Sequence, residues 1–195
     1  MKEKKLNVSF TKKTVSFTEM KNGTQEDYHI IEANDLMTAQ ELPNRLIEQL
    51  KEMAADNGAY KISRLDHVLQ CATRAYRDGA DDDWIIAALL HDIGDVLAPF
   101  THGQLASEIM RPFVRPEITW VVRYHGAFQM FYNTSLTEDE RNSRDQYKTH
   151  PYYQYAVDFC EKWDQCSFDP EYEWEILDFF VPIVNTVFSR KPFSQ

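Results

Sequence analysis

The pair His91-Asp92 closes the apolar run Trp84-Ile85-Ile86-Ala87-Ala88-Leu89-Leu90 and is followed by Ile93-Gly94-Asp95. It constrains the fold more than any other feature of the chain. Adjacent residues on a helix point about 100° apart, so one His-Asp pair cannot wrap a metal ion from one side. It offers one imidazole and one carboxylate to a site that other helices must complete. The chain carries the partners: His67 upstream, then His102, His125 and Asp164 downstream. Four imidazoles and two carboxylates suit two transition-metal ions rather than one.

Hydrophobic periodicity supplies the helices. Leu42, Leu46, Leu50 and Met53 form one stripe, ended by Asn57-Gly58. A helix is predicted over 64–78, with Leu65, Val68, Leu69, Ala72 and Ala75 inward and Gly79 as its stop. Asp81, Asp82 and Asp83 make an acidic first turn for a helix that carries His91 and Asp92 at its C-terminal end, before Pro99 breaks the chain. A short helix starts near His102 and runs to Pro112. Pro116 opens another, which carries His125 and ends near Gly126. In the polar stretch 128–148, Thr137-Glu138-Asp139-Glu140 reads as a helix start. Thr149 or His150 caps the next helix, with Pro151 in its first turn and Asp164 at its end. Phe168-Asp169-Pro170 is a turn, and the last helix covers about 174–189.

The segment 1–38 reads as an irregular arm packed on the main body and able to assist self-association into a homo-oligomer. Val8-Ser9-Phe10 and Thr14-Val15-Ser16-Phe17 are its short extended pieces, and Asn22-Gly23 is a turn. No repeat or low-complexity tract interrupts the chain. The expectation is an all-α helical bundle over 39–195, preceded by the arm.

Composition narrows the partners. With 31 acidic against 21 basic residues and a formal net charge of −10, the chain is a poor nucleic-acid binder. A small anionic substrate in a locally positive pocket stays open. Cys71, Cys160 and Cys166 form no CxxC pattern and read as reduced cysteines. The charged start Met1-Lys2-Glu3-Lys4-Lys5 is followed by no apolar stretch, and no apolar run is long enough to cross a bilayer. A cytoplasmic protein without a membrane partner is expected.

Within the centre, Asp92 suits a bridging position, since an aspartate between two cations offsets their repulsion. One ion then takes His67, His91, Asp92 and Asp164, and the other takes His102, His125 and Asp92. The second set is under-ligated and has room for substrate or dioxygen. His29 and His150 are read as ordinary histidines, Asp66 as a helical carboxylate and Asp169 as a turn-former.

The pattern His67, His91-Asp92 and Asp164 resembles that of the HD-domain superfamily, and the added His102 and His125 resemble its two-metal version. The resemblance runs roughly from His67 to Asp164. That superfamily contains metal phosphohydrolases and di-iron oxygenases, the latter including myo-inositol oxygenase and phosphonate-cleaving enzymes. The run Ser63-Arg64-Leu65-Asp66-His67-Val68-Leu69-Gln70-Cys71-Ala72 is similar to the LEHxLQxA stretch of the phosphonate group. Tyr60 stands where those enzymes carry a tyrosine that ligates iron until substrate arrives. His91-Asp92-Ile93-Gly94-Asp95, Arg123-Tyr124-His125-Gly126-Ala127-Phe128-Gln129 and Lys162-Trp163-Asp164-Gln165 with the following Phe168-Asp169-Pro170 resemble the branch acting on 1-hydroxy-2-(trimethylammonio)ethylphosphonate. The likeness extends to Gly23-Thr24-Gln25-Glu26-Asp27-Tyr28.

The resemblance implies a non-haem di-iron dioxygenase with an Fe(II)/Fe(III) pair. Its substrate is a small hydroxyphosphonate held through hydroxyl and phosphonate oxygens. Dioxygen is consumed and the C–P bond breaks, giving phosphate and glycine betaine or glycine. Two departures mark the substrate pocket. Ser63 stands in the region of a glutamate that pairs with the substrate amine in relatives, and Gln129 replaces a lysine for the phosphonate. A quaternary ammonium has no N–H to donate and prefers aromatic faces. Phe128, Phe131, Tyr132, Trp84 and Tyr152 are the candidates. Arg64, Arg144 and Lys148 are candidate phosphonate contacts, and Asp95 joins the substrate-facing set where many HD hydrolases carry a basic residue. The alternatives are an HD-type phosphohydrolase on the same ligands, a polyol-cleaving enzyme of the myo-inositol oxygenase type, and a metal-sensing module without turnover.

Overall fold

The computed structural model describes residues 13–194, which fall into two compact units, one ending at Leu42 and the other starting at Pro43. The expected extended piece Val8-Ser9-Phe10 lies outside the described residues. Among them there are nine α-helices and no strand, so the all-α class holds.

The first unit corrects one expectation. Instead of an irregular arm to residue 38, it contains a helix, α1 (Gln25–Gln40), and residues 14–17 form no strand. The helix was illegible because its apolar residues share no face; Leu36 and Met37 are exposed. Its start is fixed by end chemistry. Thr24 Oγ1 accepts from Asp27 N, and the Asp27 carboxylate accepts from Thr24 N at 2.8 Å. Asp27 also accepts from Ser16 N at 2.7 Å, and these backbone donors hold its pKa down to about 2.

The remaining helices are α2 (Leu42–Glu52), α3 (Arg64–Arg77), α4 (Asp82–Leu90), α5 (His102–Met110), α6 (Pro116–Gln129), α7 (Glu138–Arg141), α8 (Tyr153–Phe159) and α9 (Leu177–Phe188). Helix α4 is central and packs against α3, α6 and α9. Residues 85–90 are all buried, as a helix that is apolar on every side must be. Burying each Ile or Leu of this run contributes roughly 1.5–3 kcal/mol. At its start, buried Asp83 lies 3.2 Å from Arg115 Nη1 and 2.5 Å from Arg190 Nη1, which offsets its desolvation. At its other end, the chain leaves α4 inside the core, with His91 fully buried.

Three boundaries differ from the sequence reading. Helix α6 does not stop near Gly126: it continues to Gln129, and Met130 N donates back to Gly126 O. Gly126 lacks the left-handed backbone of a terminating glycine. Burial of Phe128 outweighs the roughly 1 kcal/mol that a helical glycine costs. Helix α8 is capped by Tyr152, not by Thr149 or His150, because His150 Nδ1 accepts from Tyr152 N in the preceding turn. Helix α9 begins at Leu177 rather than near Trp174, because Glu175 N donates to Thr73 Oγ1 on α3 and keeps that stretch extended.

Candidate metal centre

Five helix ends and faces converge. Ser63 and Asp66 form a reciprocal cap at the start of α3, with Asp66 N donating to Ser63 Oγ at 3.0 Å. That cap sets the turn from which His67 points inward. His91 is the C-cap of α4, and Asp92 follows it in the turn. His102 is the first residue of α5 and His125 lies in the last turns of α6. Asp164 ends a π-turn, Cys160–Asp164, that continues α8, with Gln165 N bonding Cys160 O at 3.0 Å. Single π-turns recur at functional sites because the wider turn shifts the phase of the side chains. Here Asp164 is left fully buried.

The six side chains come together as two donor sets. In the first, His67 Nε2 lies 3.2 Å from His91 Nε2, 3.4 Å from Asp92 Oδ2 and 3.4 Å from Asp164 Oδ1. His91 Nε2 lies 3.3 Å from Asp92 Oδ2 and 3.6 Å from Asp164 Oδ1. Four ligands at about 2.1 Å from one tetrahedral ion would stand about 3.4 Å apart. In the second set, His102 Nε2 and His125 Nε2 are 3.2 Å apart, and Asp92 Oδ1 is 3.4 Å and 3.1 Å from them. These three donors form one face of a coordination sphere. Asp92 turns one oxygen to each set, which is the geometry of a bridging carboxylate.

The far side of each ring bears on whether a cation fits. Nδ1 of His67 faces Ser167 O at 2.9 Å, that of His91 faces Ala88 O at 2.9 Å, and that of His125 faces Val122 O at 2.7 Å. A backbone carbonyl only accepts, so each Nδ1 carries a proton and the nitrogen left to face an ion is Nε2. Lone pairs facing one another and two carboxylates at about 3.2–3.6 Å require positive charge between them, so the donor set fits divalent metal ions.

Without an ion, protons supply part of that positive charge and would be displaced when a metal binds. Burial opposes a charge on His67, but Asp164 and Asp92 outweigh it and raise its pKa from 6.5 to about 9. Burial likewise opposes the Asp164 charge, but His91 and His67 hold its carboxyl below the usual range. Cys160 Sγ lies 3.8 Å from Asp164 Oδ2, and burial pushes this thiol up, so it stays protonated and donates.

A cavity of about 230 Å³ opens on the two sets. Its walls include His67, Asp92 and His102, together with Tyr60, Phe168, Arg64, Asp95, Gln129 and Pro99. The sequence matches the family described as myo-inositol oxygenase over residues 2–110, a span that includes His67, His91, Asp92 and His102. The chain belongs to the myo-inositol oxygenase family. It is also similar to the [1-hydroxy-2-(trimethylamino)ethyl]phosphonate dioxygenase (glycine-betaine-forming) of Leisingera caerulea, with 32% identity over 81 residues, 36% of this chain and 41% of that protein. The matched part thus spans about two fifths of the relative's length. Among the described residues of this family member, no helix is long and apolar enough to cross a membrane.

The cavity revises several expectations about substrate-facing residues. Tyr60, Arg64, Asp95 and Gln129 do line it. Gln129 is turned to the centre itself, its Nε2 donating to Asp164 Oδ1 at 2.8 Å. Ser63 does not line it, because its hydroxyl is taken up by the α3 cap. Nor does Lys148, an exposed residue paired with Asp145 at 2.7 Å. Arg144 is also elsewhere, lying 3.6 Å over the Phe131 ring.

None of Phe128, Phe131, Tyr132, Trp84 and Tyr152 reaches the cavity. Phe128 is core, Trp84 packs on Tyr155, Phe159 and Trp163, and Tyr152 packs near Trp120. The aromatic faces on the cavity are Tyr60 and Phe168, with rings 4.7 Å apart, and Phe168 stacks on His67 at 4.2 Å. Phe168 was missed. Its position four residues past Asp164, in the turn leaving the π-segment, was the available signal.

Proposed function

We propose that this protein is a non-haem di-iron dioxygenase that cleaves the C–P bond of a small hydroxyphosphonate. The preferred substrate is 1-hydroxy-2-(trimethylammonio)ethylphosphonate, the products are phosphate and glycine betaine, and the amino analogue yielding glycine is a variant of the same reaction. Both atoms of dioxygen are accounted for, one in the carboxylate and one in the phosphate. The observation that carries the reading is Asp92, whose two oxygens face two different histidine pairs. The activity for which the Leisingera caerulea relative is named supports the substrate class.

Two irons, when bound, supply the redox electrons and the coordination sites for dioxygen and the substrate's oxygens. His67, His91, Asp92 and Asp164 would hold one, and Asp92, His102 and His125 the other. The chain's own residues do the rest. The Tyr60 and Phe168 faces offer a quaternary ammonium about 0.5–2 kcal/mol of cation–π attraction. The cavity is smaller than the roughly 300–1,000 Å³ of drug-sized pockets, which suits a compact substrate. Burial of the donor side chains strengthens their interactions with charge formed inside. A cytoplasmic setting is part of the proposal, supported by cysteines that form no disulfide among the described residues.

A second reading, oxidation of an uncharged polyol, is favoured by one observation. Among the described residues, Arg64 is the one Lys or Arg on the cavity wall, and it is engaged by both Asp56 and Asp95. The test supplies the iron-loaded enzyme with the trimethylammonio hydroxyphosphonate or with myo-inositol, in air and under argon. Phosphate release that requires dioxygen supports the first reading. Equal release under argon contradicts it, and turnover of the polyol alone selects the second.

A further inference from the structure

His102 differs from its three counterparts. His67, His91 and His125 each have Nδ1 against a backbone carbonyl, from their own helix for His91 and His125 and from Ser167 for His67. His102 has instead a side chain behind it: Asp95 Oδ1 lies 3.2 Å from its Nδ1 but out of hydrogen-bond alignment, and this buried Nδ1 has no hydrogen-bond partner. It is also the most exposed of the four rings and sits at the first position of α5, with no side-chain cap ahead of it. Its orientation therefore depends on whatever holds Asp95.

Two contacts hold Asp95. Its backbone N donates to Asp92 O at 3.0 Å, so both carboxylates rise from one turn. Its Oδ2 is bonded by Arg64 Nη1, and Arg64 Nε is bonded in turn to Asp56 Oδ2 at 2.7 Å. Arg64 N also donates to Asp56 O at 2.9 Å, which ties the guanidinium's base to the same loop. The chain Asp56–Arg64–Asp95–His102 thus runs from the start of α3 to the back of the one ring that no carbonyl fixes. An imidazole's two nitrogens point to different sides of the ring. Asp95 on the Nδ1 side is thus placed to orient the ring, not to share an ion bound at Nε2.

We propose that Asp95 is a positioning residue that aims His102 Nε2 at the second donor set, clamped by Arg64, and so sets the affinity of the second ion independently of the first. This rests on the two-ion reading of the centre. A carboxylate behind a ligating imidazole fixes its tautomer and raises its basicity, and removing such a partner lowers metal affinity about 10- to 100-fold. The role also explains why an acidic residue is useful at position 95: a basic one would offer the otherwise unpartnered Nδ1 no acceptor.

The experiment titrates the metal-free protein with Mn(II) by calorimetry, alongside Asp95→Asn, Asp95→Glu, His102→Ala and the Asp95→Asn/His102→Ala double variant. Far-UV circular dichroism checks that each is folded. The expected result is two ions per wild-type chain. Asp95→Asn should keep the first at wild-type affinity and weaken the second by about 10- to 100-fold. Asp95→Glu should restore part of that loss. Asp95→Asn should change nothing further when His102 is already alanine, since the two act through one contact. Wild-type affinity for the second ion in Asp95→Asn, equal weakening of both ions, or full additivity in the double variant would each overturn the role of Asp95 while leaving two ions in the wild type. A wild-type chain that binds one ion or none overturns the two-ion reading and this inference with it.

Discussion

Gly103 gives the sharpest way to perturb one donor set and spare the other. It lies where α5 crosses α6, one residue after His102. A Cβ placed on it would stand 2.8 Å from Val122 O, 3.1 Å from Arg123 O and 3.3 Å from His125 Cε1. Ordinary contact begins near 3.4 Å, so in Gly103→Ala the two helices must separate by about 0.6 Å at this point. The obstructing atoms are backbone carbonyls of α6, which cannot swing aside as a side chain could. Such overpacking costs about 1–3 kcal/mol. For a chain of this size, each kcal/mol lowers Tm by about 2–4 °C, which gives a fall of roughly 2–12 °C. His102 moves with the backbone of Gly103. Its Nε2, now 3.2 Å from His125 Nε2, is carried toward a separation of about 4 Å, wider than the roughly 3.4 Å that ligands of one ion span. The assay pairs thermal unfolding of the metal-free protein with ion titration. Gly103→Ala should unfold earlier, keep the first ion and bind the second at least about tenfold more weakly. Gly126→Ala is the internal control: nothing lies within 4 Å of its would-be Cβ, so a gain of about 0.5–1 kcal/mol is expected. A Gly103→Ala protein with wild-type Tm and wild-type second-ion affinity would refute the packing argument.

Other outcomes follow from the same geometry. Asp92→Ala should lose both ions by elemental analysis, whereas His150→Ala, whose ring stacks on Trp120 at 4.1 Å away from the centre, should retain both. The metal-free protein should lose stability as pH rises. The folded pKa of His67, about 9, lies above its ordinary 6.5, so its contribution is complete below 6.5 and gone once pH passes 9. Thermal scans from pH 6 to 10 check the sign, and a Tm that climbs through this window would contradict it. Phe168→Leu should raise KM for the trimethylammonio substrate more than it lowers kcat, as loss of a cation–π face requires. Tyr60→Phe should change the visible spectrum of the resting iron enzyme and leave its metal content intact.

Much of the scaffold was legible because its signals are local. Pro116 starts α6, the Thr137–Glu140 box starts α7, and Gly79, at φ +75°, stops α3. The apolar run of α4 announced a buried helix that delivers His91 to the interior. The misses have tertiary or competing causes. Helix α1 lacks an apolar stripe and is started by caps, which periodicity does not detect. Gly126 looked like a terminator because sequence cannot show that Phe128 is buried two residues later. Ser63 looked like a pocket residue, but capping claims its hydroxyl first. The aromatic faces were sought among residues near the histidines in sequence, yet Phe168 arrives through the widened turn that also orients Asp164. Nothing local could reveal that Gly94 and Gly103 are small because His102 and α6 pass so close.

The central claim is that two metal ions share Asp92. Anomalous diffraction at the iron edge, on crystals of the iron-loaded protein, tests it most directly. The account predicts two peaks per chain, one among His67, His91 and Asp164 and one between His102 and His125, with an Asp92 oxygen bound to each. A single peak, or two peaks of which only one touches Asp92, would contradict it.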